Sequence, residues 1–141
     1  MLILIRGAGD IATGIALRLK RAGLNVVMTD IPKPTAIRRT VSFSQAIAFG
    51  TYTVEDVTAT YCDANGAAAV LARGEIAVLA DPECRCREIL KPDVLVDAIL
   101  AKKNLGTNIT DAPAVIAVGP GFSAGTDCHA VVETMRGHYL G

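Results

Sequence analysis

The sequence predicts a Rossmann-like three-layer α/β/α domain with a mostly parallel sheet. Unbroken aliphatic runs, such as residues 2–5 and 114–118, are typical of strands covered on both faces. A glycine-rich turn follows the first run and leads into a segment whose apolar residues recur at helical spacing. Half of the chain is hydrophobic (51%) but only 4% is aromatic, so the core must consist mainly of aliphatic side chains.

The first thirty residues predict a parallel βαβ unit. Residues 2–5 form the first expected strand, and the helix that follows ends at Gly23. Residues 25–28 form a second buried strand that closes at Thr29 and Asp30. Two prolines directly after this strand enforce a loop.

The rest of the chain predicts a continuing alternation of strands and short helices. We expect helices at 44–49, 63–72 (with an acidic cap) and 84–90, and strands at 51–54, 57–61, 76–79, 94–96, 114–118 and 129–133. There is no repeat, low-complexity tract or linker, so one domain is expected over residues 1–141.

Charge and hydropathy limit the classes of partner. Fourteen basic residues balance fourteen acidic ones, which argues against nucleic acid or an anionic membrane as the main partner. No apolar stretch approaches the ~20 residues that span a bilayer. We therefore expect a cytoplasmic protein with a small-molecule ligand or a protein partner, and a homodimer stays open.

The four cysteines are expected to be reduced, because a chain of this length has a sufficient core without disulfides. The Cys84-Arg85-Cys86 segment lacks the two-residue gap of zinc knuckles. We expect no structural metal site, while a soft-metal or sulfur-transfer role stays open for this pair.

The sharpest motif is Gly7-Ala8-Gly9-Asp10-Ile11-Ala12, a G-x-G-x-x-A fingerprint between a predicted strand and a predicted helix. In such turns the first glycine permits the tight bend and the second lets a pyrophosphate approach the main chain. The free N–H groups of the helix start attract the anion. These six residues and Thr13 are predicted to bind a cofactor phosphate; a turn without a ligand is the alternative.

Asp30 is the second predicted binding residue. It closes the second strand at the spacing where an acidic side chain binds a ribose 2′-hydroxyl. A carboxylate at this position would also disfavour a ligand with a 2′-phosphate.

A second glycine-rich loop, Gly119-Pro120-Gly121-Phe122-Ser123-Ala124-Gly125, follows another buried strand. It should therefore lie at the same edge of the sheet, where open α/β folds bind ligands. We name Gly119 and Gly121 as candidate cofactor contacts. A plain turn between two strands explains the same letters equally well.

No catalytic residue can be assigned from the sequence. His129 oriented by Asp127 could act as a base if the segment is extended, since alternate residues of a strand share a face. A buried histidine bonded to main chain is the favoured alternative. Two basic pairs, Arg38-Arg39 and Lys102-Lys103, either contact ligand oxygens or coat the surface.

Four separated motifs resemble the YqeB-like family, and together they cover nearly the whole chain. They are Arg6-Gly7-Ala8-Gly9-Asp10-Ile11-Ala12-Thr13-Gly14, Arg38-Arg39-Thr40-Val41-Ser42-Phe43, Lys102-Lys103-Asn104-Leu105-Gly106-Thr107, and Gly119-Pro120-Gly121-Phe122 through Asp127-Cys128-His129-Ala130-Val131-Val132-Glu133-Thr134. Members are accessory proteins of selenium-dependent molybdenum hydroxylases, related in theme to XdhC-like maturation factors. They are longer than this chain, and two readings stay open: the chain is a fragment that corresponds to their N-terminal part, or it is a naturally short form.

The resemblance implies a role in maturation or insertion of the molybdenum cofactor, with molybdopterin or its dinucleotide as ligand and a molybdenum hydroxylase as partner. Their phosphates and ribose are the groups that the glycine turn and Asp30 would hold. Two alternatives stay open: an NAD-dependent oxidoreductase, whose proton donor would be His129, Lys102 or Lys103, and a nucleotide-sensing regulatory module.

Overall fold

The computed structural model describes residues 1–135, which form one sheet flanked by helices. The strands are β1 (Leu2–Arg6), β2 (Asn25–Asp30), β3 (Thr51–Val54), β4 (Val57–Tyr61), β5 (Ile76–Ala80), β6 (Val94–Asp97), β7 (Ala114–Val118) and β8 (Ala130–Val132). The α-helices are α1 (Asp10–Arg21), α2 (Gln45–Phe49), α3 (Ala67–Ala72) and α4 (Arg87–Leu90). In this part of the chain, no helix combines the length and the hydropathy that crossing a membrane requires.

The sheet has the strand order β3-β4-β5-β2-β1-β6-β7-β8. Its neighbouring strands are parallel except for the antiparallel β3–β4 hairpin. Without that hairpin, the order is the 3-2-1-4-5-6 arrangement of dinucleotide-binding Rossmann folds. The predicted fold class is confirmed, and the hairpin is an addition at one edge.

Helices cover both faces of the sheet because the strands alternate apolar side chains between the faces. On one face, Ile3 and Ile5 of β1 belong to the same core cluster as residues of α1 and α2. On the other face, Leu4 packs in a second cluster with residues of α3. The central strands are therefore buried on both faces, as their unbroken aliphatic sequences predict.

Four predicted elements are shorter in the structure, and the first of them, the helix expected at 44–49, begins at Gln45. The helix expected at 63–72 begins only at Ala67, because Asp63 Oδ1 accepts the Gly66 N–H at 2.7 Å and closes a turn before it. The helix expected at 84–90 begins at Arg87, since Cys84 has a left-handed φ of 56°. The last strand covers only Ala130–Val132.

Gly14 gives a prediction for the longest helix. It lies in α1, it is exposed, and a Cβ added to it would meet nothing within 4 Å. Because glycine destabilises a helix interior by about 0.8–1 kcal/mol relative to alanine, Gly14→Ala should raise the free energy of unfolding by about that amount. Urea denaturation will measure it, and an unchanged or lower midpoint would contradict the prediction.

Candidate functional site

A cleft of about 1670 Å³ lies at the carboxyl edge of the sheet. The turn after β1 and the loop after β2 border one side of it, and the loops after β6 and β7 border the other. β1 pairs with β2 on one side and with β6 on the other, so the order in which strands are added to the sheet reverses at this central strand. Open α/β sheets bind their ligands at such a switch point.

Gly7 makes the tight turn at the end of β1. Its φ is +112°, and a Cβ at this position would lie 2.8 Å from the Ala98 carbonyl oxygen. The Gly7 N–H donates to the Thr29 carbonyl at 2.8 Å, which joins the turn to β2. Glycine is required here by the backbone conformation and by the close approach of Ala98, which directly follows β6.

Gly9 leaves the start of α1 open. It is the N-cap residue, no side chain caps the helix, and the Thr13 N–H makes the first helical hydrogen bond, to the Gly9 carbonyl at 2.9 Å. The amides ahead of Thr13 therefore have no acceptor within the helix. A Cβ at Gly9 would meet nothing within 4 Å, and Gly9 through Ala12 line the cleft. This arrangement suits an anion.

Asp30 borders the same part of the cleft and holds the turn. Its Oδ2 accepts the Ala8 N–H at 3.1 Å and its Oδ1 accepts the Ile31 N–H at 2.8 Å. Burial raises the pKa of this carboxyl, while the two main-chain donors oppose that shift. The open amides therefore begin at Gly9, not at Ala8. A carboxylate has about four acceptor positions, so Asp30 can still accept from a ligand hydroxyl.

Two residues predicted to bind a cofactor lie outside the lining of the cleft and contact other parts of the chain. Thr13 is buried and outside the lining of the cleft, because its Oγ1 accepts the Phe43 N–H at 2.9 Å and fastens the segment before α2 to α1. Gly121 is also outside the lining; a Cβ there would lie 2.6 Å from Lys103 Cα. Its small size lets the loops after β6 and β7 pack together.

The second glycine-rich loop does reach the cleft. Gly119, Pro120 and Phe122 line it. Gly119 has φ +89°, and a Cβ there would lie 2.6 Å from Leu100 Cδ2. Because Leu100 itself lines the cleft, this contact shapes the wall that the loops after β6 and β7 form. Closure of the loop over a ligand stays a prediction.

Asp127 and His129 do not form the pair considered from the sequence. The Asp127 Oδ2 accepts the Ser123 N–H at 2.8 Å, within its own loop. The exposed His129 uses Nδ1 to accept the Val115 N–H at 2.9 Å. Residues 125–127 form a turn, and both side chains accept hydrogen bonds from main chain rather than pairing with each other. The bond between His129 and main chain agrees with the alternative that the sequence favoured, although the histidine is exposed rather than buried.

One residue of each basic pair, Arg38-Arg39 and Lys102-Lys103, lines the cleft. Arg38 lines the cleft beside the start of α1, and its Nη1 lies 3.6 Å from Asp10 Oδ2. Lys102 lines the opposite wall, whereas Arg39 and Lys103 lie outside the lining. Among residues 1–135, no group of three or more His, Cys, Asp or Glu side chains is placed to hold a metal ion.

Arg6 lines the cleft, although the sequence predicted no role for it beyond its place in the first family motif. It ends β1, is only 6% exposed, and donates to the carbonyls of Pro82 (3.0 Å) and Leu105 (2.7 Å). It also donates to Thr107 Oγ1 at 2.9 Å, and that hydroxyl donates to Asp97 Oδ2 at 2.5 Å. A charged residue at the end of an aliphatic strand was the available signal.

Comparison with known proteins adds one relative. The chain is 57% identical to the "Uncharacterized protein YqeB" of Escherichia coli (strain K12). The match covers 99% of this chain but 26% of that protein, so the chain spans about a quarter of the length of the curated relative. No family model matches. The resemblance to the YqeB-like family is supported, and the relative's name bears on neither molybdenum nor selenium.

Proposed function

We propose, from the homology of this chain to YqeB over 99% of the chain's own length and from the geometry of the cleft, that the domain binds a nucleotide-type ligand through its phosphates. We propose further that the ligand is the molybdopterin cofactor or its dinucleotide. The domain would then serve the maturation or insertion of that cofactor into a selenium-dependent molybdenum hydroxylase.

The uncapped start of α1 carries the proposal. Its amides open into the cleft at Gly9, and the helix has 12 residues whose dipoles add to the local positive potential. Arg38 lies at the same corner and adds a full charge. Asp30 stands one strand away, where a ribose joined to the phosphate would lie.

The size of the cleft favours a large ligand. Its volume of about 1670 Å³ exceeds the roughly 300–1,000 Å³ that is usual for small-molecule sites. The wall formed by the loops after β6 and β7 is largely apolar, with Leu100, Pro120 and Phe122 in the lining of the cleft. A dinucleotide could place its phosphates on the helix start and its second ring system against this wall.

An NAD-dependent oxidoreductase is the second candidate, and Lys102 is the observation in its favour. Lys102 lines the apolar side of the cleft, where a nicotinamide would lie and where a proton donor would be needed. His129 is the weaker donor, because its Nδ1 is bonded to main chain and it is outside the cleft lining. Catalysis is not required for the first proposal.

Calorimetric titration with ADP, CTP, NAD and molybdopterin tests these functions. Binding of molybdopterin without turnover supports the maturation role. Binding of NAD with hydride transfer to a small substrate supports the oxidoreductase, and nucleotide binding without chemistry or pterin affinity supports a regulatory module. Failure of all four compounds to bind would contradict the phosphate site itself.

Asp30→Ala should weaken the binding of ADP more than the binding of inorganic pyrophosphate. The variant removes an acceptor for the ribose, a contact worth about 1.5 kcal/mol or roughly tenfold in affinity when the acceptor is charged. It also releases the Ala8 N–H, which loosens the turn for both compounds. Comparing the two dissociation constants isolates the ribose contact, and equal losses would assign Asp30 to the turn only.

A further inference from the structure

Part of the cleft floor consists of polar residues that are almost fully buried. Arg6 is 6% exposed and Thr29 is 1% exposed, and both line the cleft. Leu4 and Val27, two residues earlier on the same strands, belong to the core cluster that includes residues of α3. Because alternate residues of a strand share a face, Arg6 and Thr29 lie on that face as well. The phosphate site at the start of α1 uses neither side chain.

Arg6 is a buried cation without a carboxylate partner in the described part of the chain. Its guanidinium donates to the carbonyls of Pro82 and Leu105 and to the Thr107 hydroxyl. No ion pair of the described part includes Arg6, and the Asp97 carboxylate is joined to it through Thr107 Oγ1. Arginine is almost never buried unless it is paired. The floor of the cleft therefore carries a positive charge that suits an anion.

Two hydrogen-bond donors on this floor have no acceptor among residues 1–135. They are Arg6 Nε and Thr29 Oγ1, which are both buried. Arg6 and Thr29 are register partners on β1 and β2, so their Cα atoms are about 5 Å apart. A buried polar group without a partner costs stability, and in native proteins it calls for a water, an ion or a ligand. The oxygens of a bound anion would satisfy both donors.

The surroundings of Arg6 leave its charge available. Pro82, Glu83 and Leu105 also line the cleft. The Glu83 carboxylate accepts from Arg85 Nε at 2.6 Å, so it is engaged outside the Arg6 network. The volume of about 1670 Å³ leaves space for a ligand that reaches both the start of α1 and Arg6.

We propose that Arg6 and Thr29 form a second anion subsite of the cleft, which binds a phosphate or carboxylate group of the ligand. The inference rests on the proposed function, because it gives that ligand two anionic groups. One binds the amides at the start of α1, and the other binds on the face of the sheet that α3 covers. Arg6 supplies the charge and the Nε–H, and Thr29 supplies its hydroxyl. The subsite selects ligands with two separated anionic groups over ligands with one.

NMR titration of the wild-type chain with inorganic phosphate, and separately with acetate, tests this subsite. The backbone amides of Asp10 and Ile11 report binding at the start of α1, and the Nε–H signal of Arg6 reports binding at the floor. We expect the Arg6 signal to move with a dissociation constant of its own, and the anion that binds it more tightly identifies the group.

The two signals distinguish failure of the subsite from failure of the proposed function. An Arg6 signal that neither anion moves, while the amides of α1 respond, would overturn the second subsite and leave the phosphate site intact. Movement of the Arg6 signal alone would support the subsite and contradict the phosphate site at α1. Both signals are read in the wild-type chain, so the result does not depend on the folding of a variant.

Thr29→Val separates a binding role from a structural one. Valine has nearly the shape of threonine, and the Thr29 hydroxyl has no partner to lose among residues 1–135. The variant should therefore unfold at the wild-type temperature or above it. Its affinity for the anion at Arg6 should fall about tenfold, which corresponds to one hydrogen bond to a charged group. The response of the α1 amides should not change.

Ser44→Ala is the matched control for Thr29→Val. Ser44 Oγ is also buried without a partner among residues 1–135, but Ser44 is outside the lining of the cleft. This variant should keep the wild-type affinity at Arg6. Equal affinities of Thr29→Val and Ser44→Ala would overturn the role of Thr29 in the subsite.

Discussion

Gly9→Val should weaken phosphate-ligand binding about a hundredfold or more, because losing two charge-assisted hydrogen bonds costs about 3 kcal/mol. The valine would project into open space in front of the α1 amides, where a Cβ has no neighbour within 4 Å. A φ of −72° is allowed for any residue. The fold should therefore survive, with a loss of about 1 kcal/mol or less from the poorer N-cap.

Calorimetry with ADP and thermal unfolding measure the two effects of Gly9→Val separately. Gly14→Ala is the matched control, since Gly14 lies in the same helix and outside the cleft lining. Gly9→Ser adds a sharper comparison: its hydroxyl should cap the helix and preserve stability, while it competes for the amides that a phosphate needs. Unchanged affinity in Gly9→Val would remove the helix start from the binding site.

Gly7→Ala should have the largest effect on stability, a loss of about 2–5 kcal/mol when strain and overpacking are added. The added methyl group would lie 2.8 Å from the Ala98 carbonyl oxygen, and φ +112° is unfavourable for alanine. Ala98 directly follows β6, so the strain would fall on the central pair of strands. Because the free energy of unfolding of a domain is only about 5–15 kcal/mol, we expect a larger fraction of the variant molecules to be unfolded at ordinary temperatures.

Urea denaturation of Gly7→Ala, read by circular dichroism, will measure this loss. Gly9→Ala is the comparison, because it places the same methyl group two residues further on where nothing lies within 4 Å. We expect it to cost less than about 0.5–1 kcal/mol, as a weaker N-cap. Equal stability of the two alanine variants would contradict the distinction between the glycines.

The strand positions were predictable because they depend on local patterns. The runs at Thr51–Val54, Val57–Tyr61 and Ala114–Val118 have the predicted bounds, since β-branched or aliphatic sequences flanked by turn residues favour strands. Helix starts were harder to predict, as at Ala67, where one hydrogen bond from the Gly66 N–H to the Asp63 side chain closes a turn ahead of the helix.

The candidate site was predicted only in part. The glycine turn and Asp30 follow from motif spacing within one βαβ unit, and they do line the cleft. Thr13 and Gly121 lie outside the lining because Thr13 is bonded to Phe43 and Gly121 packs against Lys103, and motif spacing does not reveal either contact. Arg6 was missed for the same reason, since its partner Thr107 is 101 residues away.

The sequence by itself determined the fold class, the βαβ unit and the turn in which Gly7 and Gly9 stand, because these depend on periodicity and on the backbone freedom of glycine. Only the tertiary structure decided that Gly7 meets the segment directly after β6 while Gly9 faces the cleft, and that Arg6 reaches Thr107. The physical reason is that strand order and loop packing bring distant residues together, and spacing along the chain carries no record of that proximity.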